Sequence, residues 1–69
     1  MDKNFSKRLI NLRRENRLSQ RDIAAKLGIS QPSYTRYEKG TAEPTIANLI
    51  ILADIFDVSL DYLLGRKEY

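Results

Sequence analysis

The sequence predicts an all-α fold, five short helices in one compact domain. Three observations carry that expectation. Apolar residues recur at three- and four-residue spacings and no stretch alternates with period two, so no sheet is expected. Ser19, Ser30, Thr45 and Ser59 each stand before a periodic segment, where a hydroxyl can cap exposed backbone N–H groups. Gly28, Gly40 and Gly65 stand just after such segments, where a left-handed residue closes a helix. At 69 residues the chain is long enough for one domain and too short for two; a single domain over 1–69 is expected, with its core at about 5–65.

The first helix is placed at about Asn4 to Asn16. Phe5, Leu9 and Leu12 form its apolar stripe, with Lys7, Arg8 and Arg14 off it, as is Arg17 just beyond. The second is capped by Ser19, with Asp22 completing a capping-box variant, and buries Ile23, Ala24 and Leu27 before Gly28. The third begins at Ser30, carries Pro32 in its first turn, where a missing N–H costs nothing, and runs to about Lys39. The fourth follows the loop Thr41-Ala42-Glu43-Pro44 and is capped by Thr45. Ile46, Leu49, Ile50, Ala53 and Phe56 are read as its core face. Ser59 caps a short fifth helix, Leu60 to Leu64.

Composition narrows the function. With no Cys there is no disulfide, thiolate nucleophile or cysteine metal site, and with no His the commonest general base and zinc ligand are missing. No phosphate-binding glycine loop and no HExxH-type motif is present, so an enzyme is not expected, nor is a cofactor or small-molecule ligand. The longest apolar run, Leu49 to Ala53, is far too short to span a bilayer, and residues 1–20 lack a signal-peptide pattern. A cytoplasmic protein without a membrane partner is expected. The net charge of +3 is unevenly spread: residues 3–39 hold ten basic and three acidic residues, net +7, whereas residues 40–69 hold two basic and five acidic, net −3. The first part is a surface that attracts polyanions.

The second and third helices are joined only by Leu27-Gly28-Ile29-Ser30. A turn this short, containing Gly, makes two helices cross steeply, so that the second can protrude into a major groove. The stretch Leu18-Ser19-Gln20, Ile23-Ala24, Leu27-Gly28-Ile29-Ser30-Gln31, Ser33-Tyr34, Arg36-Tyr37-Glu38, Gly40 and Pro44 resembles the Cro/C1-type helix-turn-helix (XRE-like) family of phage and bacterial transcriptional regulators. The later run Leu49, Leu52-Ala53, Phe56 and Val58-Ser59-Leu60-Asp61-Tyr62-Leu63-Leu64-Gly65 is similar to the same family, so the resemblance extends from Phe5 to Gly65. It implies a lambda-repressor-like DNA-binding domain with the helix-turn-helix in helices two and three. It further implies sequence-specific binding of double-stranded DNA and a repressor occupying a near-palindromic operator.

At about 100° per residue, Tyr34, Tyr37 and Glu38 share one side of the third helix. Two Tyr rings in so small a domain are read as core. Pro32, Thr35, Arg36 and Lys39 take the opposite side, flanked by Gln31 and Ser33, and that side is read as groove-facing. Arg36 can bond guanine O6 and N7, and Gln31 can bond adenine N6 and N7; Ser33 and Thr35 donate or accept. Pro32, where relatives often carry a polar residue, offers an apolar or shape contact. For Arg36 a phosphate contact or surface ion pair is the alternative.

By resemblance, Gln20 contacts the DNA backbone and braces Gln31, and Lys39, Thr41 and the following loop form a second phosphate-binding region. Ser30 and Arg21 join these phosphate candidates. Arg13 and Glu38 resemble a pair tying the first helix to the third, a structural role. Relatives act as two-fold dimers with half-sites about 34 Å apart. Ile51 and Ile55, opposite the expected core face of the fourth helix, and Leu60 are dimer-contact candidates, with packing on the fifth helix or the tail as the alternative. The chain is either a minimal repressor or the head of a longer protein. The rival reading is an antitoxin-like or protein-interaction module in which DNA binding is secondary. A non-specific DNA-coating protein would carry lysine runs and little Gln or Ser on the presented helix, the reverse of what is found.

Overall fold

Five helices follow one another through residues 3–68, the part of the chain that the computed structural model describes. They are α1 (Lys3–Glu15), α2 (Gln20–Leu27), α3 (Gln31–Lys39), α4 (Ile46–Phe56) and α5 (Leu60–Leu63). No strand occurs among the described residues. Met1, Asp2 and Tyr69 of the expected 1–69 domain lie outside them.

Local chemistry sets the helix ends. Ser19 Oγ accepts from the Asp22 N–H at 3.0 Å while the Asp22 carboxylate accepts from the Ser19 N–H at 3.0 Å, so a full capping box starts α2. Ser30, Thr45 and Ser59 cap α3, α4 and α5 in the same way, each accepting from the N–H three residues on. Gly28 and Gly40 close α2 and α3 in the left-handed conformation, φ 71° and 78°. Two closures fall on other residues: Arg17 (φ 55°) after α1 and Asp57 (φ 53°) after α4. Behind each, paired backbone bonds take up terminal carbonyls, as in Leu18 N–H to Arg13 O at 3.1 Å and Val58 N–H to Ala53 O at 3.0 Å.

The core gathers Phe5, Leu9 and Leu12 of α1, Ile23, Ala24 and Leu27 of α2, Tyr34 and Tyr37 of α3, Leu49, Leu52, Ala53 and Phe56 of α4, and Leu63 of α5. α1 packs on α3 and α5, α2 on α3 and α4, and α4 on α5. Tyr34 and Tyr37 meet edge to face, centroids 6.1 Å apart, a geometry that suits their ring quadrupoles. Tyr37 is held at its far end by Asn48, whose amide donates to the phenol oxygen at 3.2 Å.

One expectation fails. The helical periodicity assigns Ile46 and Ile50 to the core, yet they are 75% and 49% exposed, and Leu52 is fully buried instead. Only Asn48 and Asp54 of α4 are polar, so an apolar stripe can be drawn at several rotations. Packing against α2 and α5 selects the one centred on Leu49, Leu52, Ala53 and Phe56. Ile51, Ile55 and Leu60, the dimer candidates, are partly buried and packed against the core.

The end of α3 yields a direct test. A Cβ on Gly40 would lie 3.1 Å from Ser6 Oγ, and Gly40 already has positive φ. Ser6 is itself buried and donates to the Tyr37 carbonyl at 3.3 Å, so it has little room to yield. Gly40→Ala is expected to cost about 1–2 kcal/mol from the left-handed backbone alone, with the crowding added. Gly28→Ala, which meets no atom within 4 Å, should show only the backbone share. Equal unfolding midpoints in urea for the two variants would remove Ser6 from the account.

Candidate nucleic-acid interface

α3 is split lengthwise. Tyr34, Tyr37 and Glu38 are buried, Ser33 and Thr35 are half-buried, and Gln31, Pro32, Arg36 and Lys39 are exposed. The exposed residues and Thr35 line one shallow depression along the outer face of the helix. Among the described residues Arg36, Lys39 and Arg21 have no acidic partner. Their charge is thus available to an external anion.

The inward side is built around one carboxylate. Glu38 has a side chain only 4% exposed and receives Arg13 in bidentate fashion, Nε to Oε2 at 2.6 Å and Nη2 to Oε1 at 3.2 Å. Tyr34 donates its hydroxyl to Oε2 at 2.5 Å, and the Gln20 amide donates to Oε1 at 3.0 Å. Four donors from α1, α2 and α3 thus fill the acceptor positions of a single buried charge. Arg13 also donates through Nη1 to the Leu18 carbonyl at 3.1 Å, fastening the turn before α2. Burial pushes the Glu38 carboxyl up, but the hydrogen bonds from Arg13, Tyr34 and Gln20 and the guanidinium charge outweigh it and hold it below its ordinary range. The bond to Glu38 raises the Arg13 guanidinium, while burial and then the bond to Glu38 push the Tyr34 phenol up.

Gln20 continues the network outward. Its amide oxygen accepts from the Thr35 hydroxyl at 2.8 Å, so it braces Thr35 and Glu38, and the expected brace to Gln31 is replaced by these two bonds. Ser30 Oγ is engaged as the cap of α3 and also bonds Ser33 Oγ at 2.9 Å. The Thr41 hydroxyl is directed back to the Arg36 carbonyl at 3.5 Å. Of the other basic candidates, Arg14 and Arg17 are exposed, whereas Arg8 stacks on the Tyr62 ring, 4.3 Å from its centroid, joining α1 to α5.

Sequence reasoning missed the Tyr34 hydroxyl and the double role of Gln20. Tyr34 and Glu38 stand four residues apart on one helical face, a spacing that allows such a contact. Gln20 is 18 residues from Glu38 and 15 from Thr35, and no linear pattern announces either bond.

Two helices joined by a tight glycine turn, the second presenting a polar, cationic outer face held from behind by a buried ion pair, make a helix-turn-helix protein. The comparisons agree, and the chain belongs to the helix-turn-helix family, which matches residues 9–63. It is 50% identical over 64 residues to the uncharacterized HTH-type transcriptional regulator YqaE of Bacillus subtilis (strain 168), covering 93% of this chain and 55% of that protein. It is 42% identical over 62 residues to the cryptic phage CTXphi transcriptional repressor RstR of Vibrio cholerae, covering 90% of this chain and 55% of that one. Among solved structures, a transcriptional regulator from Listeria innocua superposes with a TM-score of 0.85 at 34% identity, over 88% of this chain and 57% of that chain. The chain therefore spans about half the length of the curated relatives it matches.

Proposed function

We propose that this chain binds double-stranded DNA sequence-specifically, with α3 in the major groove, and regulates transcription as a cytoplasmic repressor that occupies a near-palindromic operator. The observation that carries the reading is the outer face of α3, where Arg36 and Lys39 stand exposed, without an acidic partner among the described residues, beside Gln31, Pro32 and Thr35. The names of the relatives, regulators and a phage repressor, support it. Gln31, Pro32, Ser33, Thr35 and Arg36 read bases in this account, and Gln20, Arg21, Ser30, Lys39 and Thr41 hold phosphates. Two copies associate through the apolar side chains of α4 and α5, with Ile51, Ile55 and Leu60 as contacts. The exposed Ile46 and Ile50 add apolar surface to α4. Among the described residues no helix is long and apolar enough to cross a membrane.

Selection from a randomised duplex library is the test. A near-palindromic winner whose repression of a reporter promoter depends on that site supports the reading; binding without sequence preference and with a steep salt slope leaves only phosphate attraction. Arg36→Ala is expected to cost roughly 1–3 kcal/mol on the selected site and to blur one base position. A loss that is equal on every sequence would reassign Arg36 to the phosphates.

A further inference from the structure

The bonds behind α3 decide what Thr35 can offer a ligand. A carboxylate accepts hydrogen bonds and cannot donate them while ionised. Glu38, held as an ion by the bidentate Arg13, faces Gln20 at 3.0 Å, so the nitrogen of the Gln20 amide must point toward it. The Gln20 amide oxygen is thereby turned to Thr35 Oγ1, 2.8 Å away. That oxygen has no proton, so Thr35 must donate. The other neighbour of Thr35 Oγ1 is the Gln31 backbone carbonyl at 3.0 Å, which also only accepts. A threonine hydroxyl has one proton, and both oxygens competing for it belong to the protein. Thr35 lines the depression with Gln31, Pro32, Arg36 and Lys39, and with its proton committed it has only an Oγ1 lone pair and its methyl group left to offer a ligand there. Ser33 differs, because its Oγ accepts from Ser30 and its own proton is uncommitted.

We infer that Thr35 is an acceptor-only specificity residue that selects a base with an exocyclic amino group in the major groove, adenine or cytosine, over guanine or thymine. The inference rests on the major-groove reading proposed above. Adenine N6 and cytosine N4 are the donors that the major groove presents, whereas guanine O6 and thymine O4 are acceptors. A keto oxygen brought to Thr35 Oγ1 meets lone pair against lone pair, and freeing the proton would require breaking the bonds to Gln20 and Gln31. Arg13, Glu38 and Gln20 act as positioning residues: they touch no base, and together they fix the polarity of a group that does.

The experiment selects sites from a randomised duplex library with the natural chain and with Thr35→Val, which removes the hydroxyl and keeps the shape. The expected result is a position favouring adenine or cytosine in the natural chain that Thr35→Val alone flattens, with a loss of about five- to tenfold on the original site. Replacing the selected base by its analogue without the exocyclic amino group should cost the natural chain the same factor and cost Thr35→Val nothing. The natural-chain half of this comparison needs no assumption about how well the variant folds, since the natural chain meets both duplexes. A Thr35-dependent preference for guanine or thymine would overturn the inference, because the hydroxyl would then be donating. A selected site that Thr35→Val leaves unchanged would also overturn it while leaving the major-groove reading intact. An absence of any sequence preference in the natural chain would remove the reading itself.

Discussion

Arg13→Ala should lose about 3–5 kcal/mol, the usual loss when one member of a buried ion pair is deleted. Small domains hold roughly 5–15 kcal/mol in all, so the variant is expected to be largely unfolded under mild denaturant. The reason lies in Glu38, whose charge would stay in a site where it is 4% exposed, with Tyr34 and Gln20 as its remaining donors. Acid should act oppositely on the two proteins. In the natural chain Glu38 lies below its ordinary value of 4.5, so its contribution is present above that pH and fades as pH falls through the depressed folded value. Arg13→Ala removes the largest influence that lowers the Glu38 carboxyl and leaves burial, which raises it, so the carboxyl is expected to take up its proton at a higher pH than in the natural chain, and protonation relieves the buried charge. The difference between the two should narrow as pH falls through the range around 4.5, because Glu38 gains its proton at a higher pH in the variant than in the natural chain. Urea unfolding followed by circular dichroism across that range measures it. A gap that stayed constant with pH would mean that Arg13 stabilises the domain by packing and not by charge. Arg13→Met combined with Glu38→Leu should recover much of the loss, since no charge is then left unpaired.

Leu52→Ala is expected to cost about 2–5 kcal/mol, since a fully buried Leu leaves a cavity the neighbours only partly fill. Ile50→Ala, two residues away and half exposed, should stay within about 0.5 kcal/mol. The pair tests the rotation of α4 directly. If Ile50→Ala were the costlier change, the helix would present the face that its sequence periodicity suggests.

That contrast marks where the sequence could be read and where it could not. Helix starts were legible because Ser19, Ser30, Thr45 and Ser59 are short hydroxyl side chains in the one place where a free N–H needs them. The inner face of α3 was legible because two Tyr rings recur at helical spacing and bury themselves. The rotation of α4 was not, because apolar residues stand on nearly every side of it and only contacts with α2 and α5 distinguish them. Closures at Arg17 and Asp57 were equally silent. Their left-handed backbone is sustained by the hydrogen bonds of the turn and not by residue type. At the candidate site, the outer residues of α3 followed from its wheel, but the link from Glu38 through Gln20 to Thr35 joins residues far apart in the chain and exists only once three helices have met.

The lengthwise division of α3 has a consequence for how such a chain can change over generations. Its inner side carries the cohesion of the domain and tolerates little. Its outer side, at Gln31, Pro32, Arg36 and Lys39, is exposed and gives almost nothing to the core. Substitutions there fall where stability effects are usually within about 0.5 kcal/mol, so a lineage can rewrite the face that meets its target while the scaffold beneath stays fixed. Thr35 is the exception, the one outward position whose chemistry is set from inside, and a change of preference there would have to travel with Gln20 or Glu38.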